Sequence, residues 1–310
     1  MLMFTKKKLI FIAILFFAWL MLPSQSSALE VQPAIREVTL TPGQATSVMI
    51  ELNNDEADDL TVTAQVVNFT AVDNSGNPIY LEDAAPTGAA TWANINNEAV
   101  LLKSGELVEY AVNFNPPATA QTGGHYVGAL FSFSQADTAN GDTQLMLESK
   151  VGVPILITVD GDYTESGKIT TFATVDGATS YTAGPIEFMV SFKNTGEVHL
   201  KPIGNIVIKN MFGSDVATLA VNESAVAVLP DNTRALTTLG WEEVGSAFGK
   251  YTAEVTLSDG AVSSTATVDF WVLSTMGIVI AVVVVIVIII LLIVIIKAAS
   301  KKKPAVTEGQ

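Results

Sequence analysis

The sequence contains no cysteine and few groups that usually carry catalysis: among 310 residues there are only two histidines. The absence of cysteine excludes disulfides, thiol nucleophiles and cysteine–zinc sites, so an exported domain of this chain depends on its core alone for stability. His125 and His199 each lack a second histidine at metal-ligand spacing, and no Gly-x-Ser-x-Gly elbow occurs. These absences favour a protein that is not an enzyme and that has no cofactor.

Basic residues are also scarce outside the two ends of the chain. Of 16 Lys and Arg, seven lie at positions 6–8, 297 and 301–303, whereas 30 of the 31 acidic residues lie between these two ends. The intervening chain therefore has nine basic and 30 acidic residues, a net charge of −21. Such a field repels nucleic acid and favours cations or basic partners, although it also fits a surface that is simply soluble in a cation-rich exterior.

The N-terminal residues have the pattern of a signal peptide. Three lysines at 6–8 precede an apolar stretch at 9–22, and the small residues at 26–28 supply a cleavage site. The apolar stretch is shorter than the roughly 20 residues that a membrane span requires, which argues against the alternative of a signal anchor. We expect residues 1–28 to be removed and the mature chain to begin at Leu29.

The C-terminal region contains one long apolar segment. Residues 277–296 include no charged or polar side chain, and about 20 such residues cross a hydrocarbon core of about 30 Å as a helix. Lysines follow at 297 and 301–303, and positive flanks stay cytoplasmic. The sequence predicts a single-pass membrane protein with its ectodomain outside the cell and a cytoplasmic lysine-rich tail at 297–310.

The region between these segments reads as short β-strands. Alternating or apolar runs occur at 46–52, 60–69, 106–114, 125–134 and 144–158, separated by turns rich in Gly, Pro and Asn. Even spacing of this kind is typical of sandwiches. The predicted fold class is all-β: two tandem immunoglobulin-like β-sandwich domains, at 29–160 and 161–273, followed by the single transmembrane helix.

An internal repeat supports the division into two domains. The stretch 40–54 has a Gly turn, an alternating strand and a final Asn, and the stretch 181–194 repeats this outline. Tyr126 and Tyr251 each follow a Gly-x pair at the start of a later strand. This placement suits a tyrosine corner, in which the phenol hydroxyl caps backbone groups.

Two features are candidates for binding. Oxygen-rich loops hold Ca²⁺, and one loop contains four carboxylates, which we regard either as a calcium site or as a solvated turn: Asp55, Glu56, Asp58 and Asp59. Trp92 lies in the loop 83–97 and is either an exposed anchor for a partner or a core residue. With 53–59 and 73–78, this loop is one of three candidate recognition loops.

The chain resembles the WxL-interacting proteins, a family of Gram-positive surface proteins. The matching motifs are those at 38–44 with Asn53 and Asn54, at 122–126, at 194–199 with Lys201 and Pro202, and at 248–251. The resemblance implies contact of the first domain with peptidoglycan and of the second with a partner or host protein. It carries over no individual binding residue, and no aromatic ligand groove is evident in the first domain.

These observations lead to two hypotheses about function. The first is a non-catalytic, membrane-anchored protein for cell-surface binding, adhesion or scaffolding, which contacts cell wall or other surface proteins. The second is an accessory subunit of a membrane secretion or wall-assembly complex that recruits partners through its helix. No Gly-x-x-x-Gly motif marks that helix as an association face, which favours the first hypothesis.

Overall fold

The computed structural model describes residues 29–71, 77–135, 148–242 and 244–300. In these ranges the chain forms two β-sandwiches followed by one long helix, so the predicted fold class is confirmed. The predicted signal peptide at 1–28, most of the turn 73–78 and the tail from residue 301 lie outside the described residues.

The first sandwich is built from strands whose apolar residues alternate, as along 46–54, where Val48, Ile50 and Leu52 are buried. A short 3₁₀ turn lies at Gly88–Thr91. The strands in the described residues are β1 (Leu29–Gln32), β2 (Arg36–Leu40), β3 (Thr46–Asn54), β4 (Leu60–Ala71), β5 (Pro78–Leu81), β6 (Ala93–Asn94), β7 (Val100–Leu102), β8 (Leu107–Phe114), β9 (Gly123–Gln135) and β10 (Ser149–Val159). One sheet has the order β1-β3-β8-β6; the other has the order β2-β10-β9-β4-β5, with β7 also paired to β4.

The second sandwich has its own core, centred on Phe192, Phe270 and Ile186, all of which are almost completely buried. Its described strands are β11 (Gly167–Thr174), β12 (Ser180–Tyr181), β13 (Phe188–Asn194), β14 (Ile203–Asn210), β15 (Asp215–Val221), β16 (Thr233–Leu236), β17 (Phe248–Asp259) and β18 (Val262–Leu273). The sheets have the orders β11-β13-β16 and β12-β18-β17-β14-β15.

The two sandwiches have equivalent topologies. The order β1-β3-β8 corresponds to β11-β13-β16, and β2-β10-β9-β4 corresponds to β12-β18-β17-β14. In each sandwich one strand pair is parallel, β2 with β10 and β12 with β18, while the other described ladders are antiparallel. The repeated stretches of the sequence thus form equivalent strands, β3 and β13.

A buried asparagine ends each of these two strands. Asn54 Nδ2 donates hydrogen bonds to the carbonyls of Asp58 and Leu102, both at 3.0 Å, and its Oδ1 accepts one from the Glu56 N–H. Asn194 makes the same three kinds of bond, to the carbonyls of Val198 and Val228 and from the Gly196 N–H. Both side chains are fully buried, so each amide meets the hydrogen-bonding needs of a loop that turns inside the fold.

The last strand continues directly into helix α1 (Thr275–Ser300). Ser274 caps the helix, because its Oγ accepts a hydrogen bond of 3.0 Å from the Gly277 N–H. A Cβ at Gly277 would lie 2.6 Å from the Ala247 carbonyl oxygen and 2.8 Å from that of Ser246. Only glycine therefore lets the first helical turn pack this closely against the loop before β17.

Helix α1 is long and apolar enough to cross a membrane. Its segment Thr275–Ala298 consists mostly of Val, Ile and Leu, and the side chains beyond Gly277 are not buried against the sandwiches. The helix begins two residues before the predicted span at 277–296 because Ser274 supplies its cap.

We expect Asn194→Ala to destabilise the second sandwich. The substitution leaves two buried carbonyls and one N–H without their partner, which costs about 2–4 kcal/mol in the free energy of unfolding. Urea denaturation of the fragment 29–273 measures the change. Asn205→Ala removes an exposed amide on β14 and should change stability by less than about 0.5 kcal/mol; equal effects of the two variants would refute the role given to Asn194.

Candidate interaction surfaces

The helix lies at one end of the second sandwich, and the first sandwich lies at the other. Strand β17 begins at Phe248, opposite Leu273, which directly precedes the helical cap. The same strand ends at Asp259, whose carboxylate accepts a hydrogen bond from the Lys201 N–H. Lys201 in turn contacts the first sandwich, where its Nζ lies 2.7 Å from a carboxylate oxygen of Glu37.

The acidic loop 55–59 lies at the far end of the first sandwich. Strand β9 begins beside the second sandwich, where the Gly124 N–H donates a 2.8 Å hydrogen bond to the Glu197 carbonyl. It ends at Gln135, whose Nε2 donates to Asp58 Oδ2 at 2.9 Å. Strand β9 has 13 residues, so at about 3.3 Å per residue the loop is roughly 40 Å from the junction of the sandwiches.

Carboxylates of this distal loop hold it in shape. Asp59 Oδ1 accepts a 3.0 Å hydrogen bond from the Ser104 N–H, and Asp55 Oδ1 accepts one of 2.8 Å from Asn53 Nδ2. Together with the Asp58–Gln135 bond, these contacts tie the loop to β3, to the 103–106 turn and to the end of β9. Asp55, Asp58 and Asp59 are exposed, so their charge faces solvent.

The described residues include no group of three or more His, Cys, Asp or Glu side chains arranged to hold a metal ion. The acidic loop falls within these ranges. Calcium binding by Asp55, Glu56, Asp58 and Asp59 therefore stays a prediction, beside the alternative of a solvated turn.

Trp92 is partly buried, so it is neither the fully exposed anchor nor the fully buried core residue that were the two predicted alternatives. Its ring packs against the core of the first sandwich and lies 5.0 Å from the ring of His125, centroid to centroid. The His125 Nε2–H donates a 2.8 Å hydrogen bond to the Gln121 carbonyl. Trp92 thus joins the loop 83–97 to the start of β9 and keeps part of its ring accessible.

Apart from the Glu37–Lys201 ion pair, the two sandwiches meet at two short segments of the sequence, 122–126 and 194–201. Besides the Gly124–Glu197 hydrogen bond, the rings of Tyr126 and His199 meet edge to face at 6.0 Å. A Cβ at Gly124 would lie 2.3 Å from the Tyr126 hydroxyl and 2.9 Å from the Glu197 carbonyl oxygen. Glycine is therefore required for this approach of the two backbones.

The segment between the sandwiches is fixed to both of them. Thr122 Oγ1, in the first sandwich, donates a 2.6 Å hydrogen bond to the Asp162 carbonyl. Glu197, in the second, accepts one of 2.7 Å from the Thr164 N–H and donates its own N–H to the Thr164 carbonyl. The linker is therefore bonded to both sandwiches rather than a free tether. We call this linker, together with the contacts between 122–126 and 194–201, the joint.

Burial at this joint shifts two titratable groups. The pKa of the Tyr126 phenol is raised well above its usual value by desolvation, which the nearby backbone of His199 offsets only in part. The pKa of His199 is lowered, first by burial and then by the positive charge of Lys201, while Glu37 and Asp259 oppose the shift. The Tyr126 hydroxyl and His199 Nδ1 are buried without a hydrogen-bond partner among the described residues, so neutral forms are favoured at both sites.

The position of Tyr126 differs from that predicted. A tyrosine corner places the hydroxyl on backbone of the same sandwich, whereas this phenol faces the second sandwich and forms no such cap. Tyr251, its equivalent on β17, packs in the core between the rings of Trp241 and Phe270. Both tyrosines serve packing, one between the domains and one within a domain.

No family model matches the chain, and no curated protein matches it. The resemblance to WxL-interacting proteins therefore stays an expectation. The chain is similar in structure to the class 5 fimbriae chaperone CfaA, with a TM-score of 0.39, 8% identity, and coverage of 79% of this chain and 99% of that one.

Two other solved structures give similar values. The Escherichia coli chaperone DraB has a TM-score of 0.36 at 9% identity and covers 79% of this chain and 97% of its own. The Salmonella enterica SafA pilin in complex with the SafB chaperone gives a TM-score of 0.37 at 9% identity, with coverage of 80% and 98%. Likenesses at these scores say nothing about what this chain binds.

The contact between the two sandwiches was not predicted from the sequence. Gly124, Tyr126, Glu197 and His199 stand within short motifs of turn residues, but the two motifs are about 70 positions apart and nothing in either shows that they meet. A usable signal was the glycine pair 123–124, since a strand that begins with two glycines permits close approach of another backbone.

We expect Gly124→Ala to loosen the joint. Its Cβ overlaps the Tyr126 hydroxyl and the Glu197 carbonyl, so the sandwiches must separate or shift at a cost of about 1–3 kcal/mol. Limited proteolysis of the fragment 29–273 should then cleave faster within 160–166. Gly240→Ala, whose Cβ would have only ordinary contacts at 3.5 Å, should be cleaved at the wild-type rate. If Gly124→Ala is also cleaved at the wild-type rate, Gly124 is not required for the close contact of the sandwiches.

The joint should also weaken in mild acid. His199 has a lower pKa in the folded chain than in the unfolded chain, so the unfolded chain binds more protons at low pH. The contribution of His199 to stability is fully present above its pKa in the unfolded chain, about 6.5, and is lost as the pH falls below that pKa. Thermal denaturation between pH 8 and pH 5 measures this decline, which His199→Gln should reduce. His125→Gln leaves the buried histidine unchanged and should retain the wild-type decline.

Proposed function

We propose that the chain is a non-catalytic surface protein, anchored by helix α1 in a membrane, whose first sandwich binds cell wall or another surface protein. The observation that carries this proposal is the continuous path of fixed contacts from the helix to the acidic loop. It runs through the Ser274 cap, the close approach at Gly277 and the bonded linker 160–166. A chain built in this way holds one domain away from a bilayer in a defined direction.

The orientation follows from charge. Lysines at 297 and 301–303 follow the helix, whereas residues 270–276 before it contain no Lys or Arg. Positive flanks remain on the cytoplasmic side, which supports a location of both sandwiches outside the cell. The signal peptide predicted at 1–28 is consistent with this export route.

The distribution of charge between the sandwiches supports a basic partner for the first. Residues 29–160 contain three basic and 17 acidic residues, a net charge of −14, whereas residues 161–273 contain six and 13, a net charge of −7. The exposed carboxylates of Asp55, Asp58 and Asp59 lie at the end of the first sandwich that is remote from the helix. A field of this sign accelerates association with cationic surfaces, including protonated amines of wall polymers and basic protein patches.

The experiment is a pull-down with the fragment 29–273 against isolated cell wall and solubilised surface proteins. We expect capture by wall or by one defined protein, weakening as salt rises because the interaction is electrostatic. A quadruple variant, Asp55→Asn, Glu56→Gln, Asp58→Asn and Asp59→Asn, should reduce capture several-fold, since it removes the charge and retains amide oxygens as acceptors. Calcium and a chelator are compared in parallel, because a calcium requirement would identify the same loop as a metal site.

A matched control neutralises four exposed acidic residues of the second sandwich: Glu187→Gln, Asp215→Asn, Glu223→Gln and Glu242→Gln. This control has the same change in net charge and should leave capture nearly unchanged. If both quadruple variants lose capture equally, only net charge matters. If the folded fragment captures nothing, the alternative of a subunit that assembles through its helix is favoured.

A further inference from the structure

The end of the second sandwich that carries the helix also carries exposed apolar side chains. Phe212 is 84% exposed and Met211 is 61% exposed, both in the turn between β14 and β15. Phe248, at the start of β17, is 45% exposed, and Met276, in the first helical turn, is 61% exposed. Soluble surfaces rarely gather large apolar groups in this way without a partner.

Contacts place these residues together beside the helix. A Cβ at Gly249 would lie 2.9 Å from Met211 Sδ, so Met211 covers the start of β17. The Phe248 Cβ is within 2.9 Å of the position that a Cβ at Gly277 would take, so Phe248 lies against the first helical turn. The turn, β17 and the helix therefore form one apolar rim.

The turn that presents Phe212 is ordered by hydrogen bonds. Asn210 Oδ1 accepts from the N–H groups of Phe212 and Ser214, at 3.0 and 3.1 Å, and the Asn210 N–H donates to the Ser214 carbonyl at 2.9 Å. Gly213 has a φ of 80°, which closes the turn. A large apolar side chain at the tip of a hydrogen-bonded turn is held out from the fold at a fixed position, so its exposure is a feature of the folded state.

We propose that the rim formed by Met211, Phe212, Phe248 and Met276 enters the interfacial layer of the same bilayer that α1 spans. This inference rests on the membrane anchoring in the proposed function. The chain itself supplies the argument for lipid as the occupant: α1 becomes continuously apolar at Gly277, so the bilayer surface lies at the level of the residues that touch Gly277. Side chains at that level meet headgroups and upper acyl chains, where aromatic residues are favoured.

Charge in the rim is consistent with this occupant. The turn 210–214 has no charged residue, and the nearest lysines on β14 and β17 are already paired, Lys209 with Glu254 at 2.6 Å and Lys250 with Asp269 at 2.7 Å. The contact therefore depends on apolar burial rather than on attraction to anionic headgroups. It should form on zwitterionic lipid.

Because the chain has no cysteine, single cysteines report position without interference. Full-length protein with Ser214→Cys, labelled with an environment-sensitive fluorophore, is reconstituted into palmitoyl-oleoyl phosphatidylcholine vesicles. We expect a blue-shifted emission and protection from a water-soluble quencher, relative to a label at Ala261→Cys in the exposed turn between β17 and β18. Adding Phe212→Gln to the Ser214→Cys protein should remove most of the shift and of the protection.

A third label, at Val283→Cys within α1, separates the two proposals. If Val283 is protected while Ser214 is as accessible as Ala261, the helix inserts and the rim contact is refuted. If Val283 is also accessible to the quencher, the anchoring in the proposed function fails, and the rim contact fails with it. Protection of Ser214 that survives Phe212→Gln would refute the role of the exposed phenylalanine.

Discussion

The architecture depends on the side-chain amides that end the central strands. A loop that leaves a sandwich through its interior has backbone groups that no ladder can pair, and unpaired buried groups are costly. Asn54 and Asn194 each meet this need with two donors and one acceptor, from a fully buried position. Asn222, directly after β15, repeats the arrangement and donates to the carbonyls of Pro202 and Val226.

Asn54 and Asn194 each fix a loop at one end of their sandwich. The loop fixed by Asn54 carries the distal carboxylates, and the loop fixed by Asn194 carries Glu197 and His199 to the first sandwich. Asn222 secures Pro202, at the far end of that same loop. One local interaction thus serves presentation in one domain and docking in the other. This use suits a chain without disulfides, in which loop geometry must come from hydrogen bonds and packing.

Sequence periodicity was sufficient for the fold but not for the joint. The predicted runs at 46–52, 60–69 and 125–134 all lie within strands, because inward-facing apolar residues are required wherever these strands lie over a core. The helix was equally evident from its length. Contacts between motifs that are remote in sequence leave no periodic pattern in the residues. The hydrogen bond between Gly124 and Glu197 and the orientation of the Tyr126 phenol were therefore not predictable. The roles of Asp55 and Trp92 depend on a partner and stay predictions.

If α1 spans a bilayer as proposed, two opposing effects act on the sandwiches next to it, and the distance over which each effect acts decides which part of the chain it governs. The net charge of −21 between the ends of the chain repels anionic headgroups, but this repulsion decays over a Debye length of about 8 Å at physiological ionic strength. Carboxylates roughly 40 Å beyond the domain joint lie many Debye lengths from the lipid. At the base, the turn 210–214 has no charge, and Phe212 in that turn is 84% exposed. In the proposed arrangement, apolar burial governs the base and charge governs the tip, and the linker that is bonded to both sandwiches connects the two.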